Sequence, residues 1–223
     1  MKKLFLLLVF VYTSSLFAQK TITDTINSQK LGEEREIKIS LPPSYSKNKA
    51  QKYPLLILLD GDFLFDPFYG TLSYGYYWDD LPEVIIVGVN QNKGNEREYD
   101  SQFDENGIPT ESGAKFFEFL GIELIPYIEK SFRVAPYRLI VGHDVTAGFL
   151  NAYLYKDNPV FNAYLCLSPD LAAEMETRIP ERLKIMQKPI FFYLATADGD
   201  LKKDRDRIKV MEENLKTVKS DFV

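Results

Sequence analysis

Continuous apolar runs, rather than alternating ones, dominate the middle of this chain. Tyr53 to Leu59, Val84 to Val89, Arg138 to Val141 and Pro189 to Leu194 are each short and rich in branched residues. Strands apolar on both faces lie between two helical layers, which predicts a mostly parallel sheet. Residues 31–46 differ: Ile37, Ile39 and Leu41 alternate with polar residues before Pro42-Pro43-Ser44-Tyr45 breaks the pattern. That is the signature of an edge-type strand. Ala163-Tyr164-Leu165-Cys166-Leu167 reads as another buried strand, with Cys166 an inert core thiol. Helical spacing appears at 112–130, through Phe116, Phe119, Leu120, Leu124 and Ile128, with Pro126 expected to kink or restart the helix. It returns at 201–219, through Leu201, Ile208, Met211, Leu215 and Val218, with Asp200 as the expected N-cap. Strands alternating with helices predict one α/β domain with a mostly parallel central sheet and helices on both faces. Functional groups in such folds collect beyond the carboxyl ends of the strands. The segments to read for chemistry are therefore Asp60–Phe63, Asn90–Ser112, Gly142–Gly148, Ser168–Asp170 and Ala197–Asp200.

The first eighteen residues do not belong to this pattern. Lys2 and Lys3 precede an apolar stretch from Leu4 to Tyr12, and Leu16-Phe17-Ala18 leads to Gln19. This predicts a signal peptide over 1–18 with export to the periplasm or beyond, leaving 19–223 as a single domain. Leu16 is larger than the small residue such sites favour. About 15 apolar positions fall short of the roughly 20 a bilayer span needs, and no later segment reaches that length. A net charge of −5 excludes the basic face that a nucleic-acid partner would require. A single cysteine forms no internal disulfide. No cofactor is implied. The Asp-rich turn at 198–206 is interrupted by Lys202, Lys203 and Arg205 and lacks calcium-loop spacing, so no metal site is expected.

At the end of the Leu139 strand stands Val141-Gly142-His143-Asp144-Val145-Thr146-Ala147-Gly148. A strand, a tight turn of small residues and a helix is the layout of a nucleophile elbow. With Leu41 to Tyr45, Tyr53 to Gly61, Glu83 to Val89, Glu123 to Glu129, Tyr137 to Gly142 and Phe161 to Pro169, this chain resembles the α/β-hydrolases of the enterochelin esterase and esterase D type. The resemblance covers roughly residues 30–200, in the family's order. It implies an ester hydrolase with Asp144 in the position of the nucleophilic serine and Thr146 and Ala147 in glycine positions. It further implies an oxyanion hole from the backbone of Val145 and of Asp62 or Phe63, and a triad acid at Asp198 or Asp200. Pocket candidates are Gly61, His143, Tyr74, Trp78 and Ser168. Thr146 is expected to relax the turn.

The family's catalytic histidine lies after one further strand, and this chain ends at Val223 about where that strand begins. The expectation is a C-terminally incomplete domain without its base, because His143, the single histidine, sits beside the nucleophile position. Asp200 has a second reading as a helix cap. The aromatics from Phe63 to Trp78 either wall a pocket or pack a long connection onto the sheet. The Asn90–Ser112 loop, with Arg97, Asp104 and Glu105, is a candidate rim or lid. Three functions stay open: a disabled ester hydrolase, a binding module for a small ester-like ligand or another partner, and a hydrolase using Asp144 covalently. The sequence leaves the oligomeric state open.

Overall fold

The structure, a computed structural model, describes residues 21–218. The expected leader with its cleavage after Ala18, and the last five residues, lie outside the described residues. Seven strands form one sheet: β1 (Thr21–Ser28), β2 (Glu33–Ser40), β3 (Tyr53–Leu58), β4 (Ile85–Val89), β5 (Val134–His143), β6 (Ala163–Leu167) and β7 (Phe191–Ala195). Their order is β1-β2-β4-β3-β5-β6-β7. The pairs β1–β2 and β2–β4 are antiparallel and the rest are parallel, with Ile57 opposite Val87 and Ile140, and Leu165 opposite Val141 and Tyr193. The mostly parallel α/β sheet is thus present.

The helices are α1 (Gly61–Tyr77), α2 (Arg97–Asp100), α3 (Glu111–Glu118), α4 (Ile125–Ser131), α5 (Val145–Phe149), α6 (Met175–Ile185) and α7 (Lys202–Leu215). They divide unequally between the faces. On one face α1 lays Leu64 and Phe65 against Leu56, Leu58, Ile86 and Val141. The larger core lies on the other face, where Phe116, Phe119, Leu124 and Ile128 meet Ile57, Ile140 and Cys166, joined by Met175, Ile208 and Met211. Cys166 is wholly buried, which pushes its thiol well above the usual range. Close approach of α1 to the sheet depends on Gly61, where a Cβ would stand 2.6 Å from the Gly88 carbonyl carbon.

Three expectations change. The stretch Phe63 to Trp78 is not a connection but the body of α1. Pro67, Gly70 and Gly75 together with its many aromatics disguised the helical period. The 112–130 helix is interrupted as expected, but by a π-helical turn at Phe119–Leu124 with Pro126 opening α4, where its missing N–H costs least. Asp200 does not cap the last helix, which starts after Leu201 with no side-chain cap. Its carboxylate instead accepts from the Ala197 amide (2.8 Å) and the Thr196 hydroxyl (2.9 Å).

Candidate active site

Asp144 joins β5 to α5 with φ 58° and ψ −122°, a conformation that costs a non-glycine residue about 1–3 kcal/mol and persists only when its surroundings enforce it. The enforcement is visible. The Asp144 amide donates to the Leu167 carbonyl (2.9 Å), and its carbonyl accepts from Gly148 (3.0 Å) and Asp170 (3.1 Å). Beneath the turn, a Cβ on Gly142 would stand 2.6 Å from the Thr146 carbonyl carbon, so the glycine that allows the close approach is on the strand side. This is why Thr146 does not relax the turn, contrary to expectation. It is 3% exposed, and its hydroxyl accepts from the His143 amide (2.9 Å) and donates to Asp60 (2.6 Å). Thr146→Val should therefore lower unfolding stability by about 1–3 kcal/mol, since it strands the part-buried His143 amide and removes one of the two donors to the buried Asp60 carboxylate oxygen. A urea midpoint unchanged from wild type would show that the hydroxyl is dispensable.

Arg97 gathers the site. Its guanidinium binds Asp60 at 2.7 and 3.1 Å, donates to the His143 carbonyl at 2.8 Å, and lies 3.6 Å from the Asp144 carboxylate. Burial works against the cation, but the hydrogen bond to Asp60 and the charges of Asp60 and Asp144 raise Arg97 above its ordinary value. Asp60 is buried and itself left-handed (φ 60°), opening α1 as Asp144 opens α5. Arg97 is held in turn from the core. Three residues on, Asp100 forms a two-pronged ion pair with Arg35 at 2.8 and 3.2 Å, and Arg35 also binds Glu33 (2.6 Å). Asp60 and Arg97 fall in the segments singled out from the sequence, Arg97 as part of a candidate rim or lid, but their pairing is not expected from it. An isolated arginine in a polar loop carries no local signal of its partner 37 residues away.

The remaining candidates are distributed as follows. Val145 begins α5, and Asp62 is the second residue of α1, so their amides lie in first turns, where no carbonyl one turn back within the helix can receive them. Phe63 donates its amide to the Asp60 carbonyl (3.2 Å), which leaves Asp62 as the stronger second donor. The Asp62 carboxylate accepts from the Gln91 amide (2.7 Å), and Gly61 is buried against Gly88. The His143 ring stands edge-on to Phe63 at 6.1 Å, and its Nδ1 is buried with no hydrogen-bond partner among the described residues. Asp200, Ser168 and His143 come together at the carboxyl edge. The Ala197 amide lowers the Asp200 carboxyl below its usual value, with the Ser168 and Thr196 hydroxyls and the imidazole adding to it. Asp198 is on the same turn, where its carbonyl accepts from Arg205 (3.0 Å). Tyr74 and Trp78 are exposed at the opposite end of α1, roughly 15–25 Å along the helix from its start, and do not line this site. Among the described residues no group of His, Cys, Asp or Glu is placed to hold a metal ion.

A strand, a residue at positive φ and a helix at the centre of a mostly parallel sheet have the layout of a nucleophile elbow, and residues 28–174 match the family described as "Putative esterase". The chain belongs to this esterase family. A solved structure of an uncharacterised protein from Capnocytophaga ochracea is similar over 90% of the chain at 27% identity, with a TM-score of 0.80. The BES protein from Bacillus cereus shares 23% identity over 92% of the chain and 85% of its own length, with a TM-score of 0.74. The enterobactin esterase FES from Shigella flexneri shares the fold at 15% identity over 89% of the chain, with a TM-score of 0.68. The esterase-family chain spans 55% of the length of the Capnocytophaga protein and 51% of that of FES. Comparison with curated proteins gives no match.

Proposed function

We propose that this chain is an exported esterase-family protein whose elbow, as it stands in these 223 residues, does not turn over esters. The reading rests on Asp144, a half-exposed carboxylate in the nucleophile's position, 3.6 Å from the Arg97 guanidinium. A carboxylate attacks an ester carbonyl poorly, and the ion pair holds its electrons further back. Its negative charge also opposes the oxyanion that would form beside Val145 and Asp62. The same cleft can hold a small ester-like ligand without chemistry. In this reading residues 19–223 form a single α/β-hydrolase domain.

The test is incubation of the purified chain with p-nitrophenyl esters. Turnover at the buffer rate is expected, with no mass adduct on the peptide containing Asp144. A second reading draws on the half-exposed carboxylate at this strained turn: Asp144 as a covalent nucleophile toward an alkyl halide or epoxide. An alkyl adduct on Asp144 that forms and hydrolyses with turnover would establish it. Among the described residues no helix is long and apolar enough to cross a membrane. The export reading rests on the leader, and intact mass of the exported protein should place its first residue near Gln19. A retained Met1 would count against it.

A further inference from the structure

The far end of α1 carries a feature that the elbow does not use. Tyr74, Tyr77 and Trp78 are 68%, 79% and 57% exposed. Their rings are gathered, with Tyr77 nearly perpendicular to Trp78 at 5.1 Å and Tyr74 6.4 Å from Trp78. The support beneath them is fixed. Leu81 folds back onto Gly75, filling the space a Cβ there would need, and the Asp80 amide donates to the Gly75 carbonyl at 3.0 Å. The Tyr76 hydroxyl accepts from the Val84 amide at 3.1 Å and ties the turn to the start of β4. Burial pushes the Tyr76 phenol up to about 12, so this tie stays neutral and intact across the physiological range. A cluster of large rings held outward on a fixed turn marks an interaction site more often than chance exposure.

Size, charge and shape narrow the occupant. At about 200 Å² per aromatic side chain, the exposed fractions sum to roughly 400 Å². That is half of the about 800 Å² that each side of a stable protein interface contributes. No Lys or Arg occurs between Lys52 and Lys93, while Asp79 and Asp80 follow Trp78 directly and are exposed. This charge repels anionic bilayers, which recruit basic segments. Ring faces beside unengaged carboxyl groups suit a ligand with apolar C–H faces and many hydroxyl donors.

We infer that Tyr74, Tyr77 and Trp78 form a binding platform for a neutral polysaccharide. The rings take the C–H faces of successive sugars, and Asp79 and Asp80 accept their hydroxyl hydrogens. The platform stands about 25 Å along α1 from Gly61, so it tethers the protein to a polymer without presenting a bond to the elbow. It is independent of whether Asp144 does chemistry.

Trp78 is the only tryptophan, so its emission reports on this surface alone. Titration with cellohexaose or xylohexaose should change that emission saturably. In native gels cast with hydroxyethyl cellulose or soluble xylan, the wild-type chain should be retarded. Tyr77→Ala and Trp78→Ala should each bind about tenfold more weakly with unchanged thermal unfolding. Four results would each overturn the inference: no response to either glycan, equal retardation of the variants, binding only to phosphatidylglycerol vesicles or a basic peptide, or Trp78 emission that the neutral quencher acrylamide does not reach.

Discussion

The Asp144→Ser variant of this chain is expected to hydrolyse p-nitrophenyl esters no faster than a level close to background. The backbone is ready for the change, since φ 58° and ψ −122° at residue 144 are held by the Leu167, Gly148 and Asp170 contacts and not by the carboxylate. Serine would supply a hydroxyl, but nothing to take its proton. The single histidine packs its ring edge-on to Phe63, with a buried Nδ1 that has no hydrogen-bond partner among the described residues. In serine hydrolases, loss of nucleophile or base costs about 10⁶ in turnover, and the oxyanion hole with substrate binding preserves only about 10³–10⁴ over water. A longer gene product that brings a histidine to Asp200 should, with the same substitution, release a burst of nitrophenol. The experiment compares both lengths of chain, each with aspartate and with serine at 144. Fast turnover by the short serine variant would show that His143 or another group serves as base. Fast turnover by the short aspartate form would instead refute the impaired reading altogether.

Arg35→Ala is expected to be the most damaging single substitution outside the sheet centre, at about 3–5 kcal/mol. Arg35 is 1% exposed and is held by Asp100, Glu33 and the Phe116 ring at 5.3 Å. Removing it leaves Asp100 charged or protonated in a buried site, and burial already pushes that carboxyl up in spite of Arg35. The melting temperature should fall by about 10 °C or more for a domain of this size. Because Asp100 ends the short helix that begins with Arg97, the same change should loosen the guanidinium at the elbow. Arg35→Met combined with Asp100→Leu should recover much of the stability, since it removes both charges together. A loss below 1 kcal/mol for Arg35→Ala in a urea titration would mean that water reaches Asp100 and the pair contributes little.

What the sequence made legible follows the range of the forces involved. The buried strands announced themselves because burial on two faces leaves unbroken apolar runs such as Leu55 to Leu59, and the elbow because its turn needs small residues around position 144. β1 escaped notice. Thr21, Thr23, Asp24 and Thr25 look polar, yet threonine suits a pleated edge, and the apolar residues of the strand that pack on the core are Ile22 and Ile26. α1 escaped because its helix is specified by packing against Leu56, Leu58 and Ile86 and not by its own propensities. The segments that carry Asp60, Arg97 and Thr146 were legible, but the network that joins them was not. Its members lie 37 and 86 residues apart, and each alone is an ordinary polar residue.

The position of β3 has a consequence for how the molecule is assembled. Both of its neighbours, β4 and β5, come later in the chain, and Tyr53 pairs with Val134 across some eighty residues. The antiparallel β1–β2 hairpin is the one local pairing in the first third of the molecule, and its edge is largely polar. The central strand therefore has no complete setting until β5 is available, and closing that span carries a loop entropy that local contacts do not offset. A chain emerging from its N-terminus reaches more than half its length before the central strand can pair on both sides, a state that the proposed export would require.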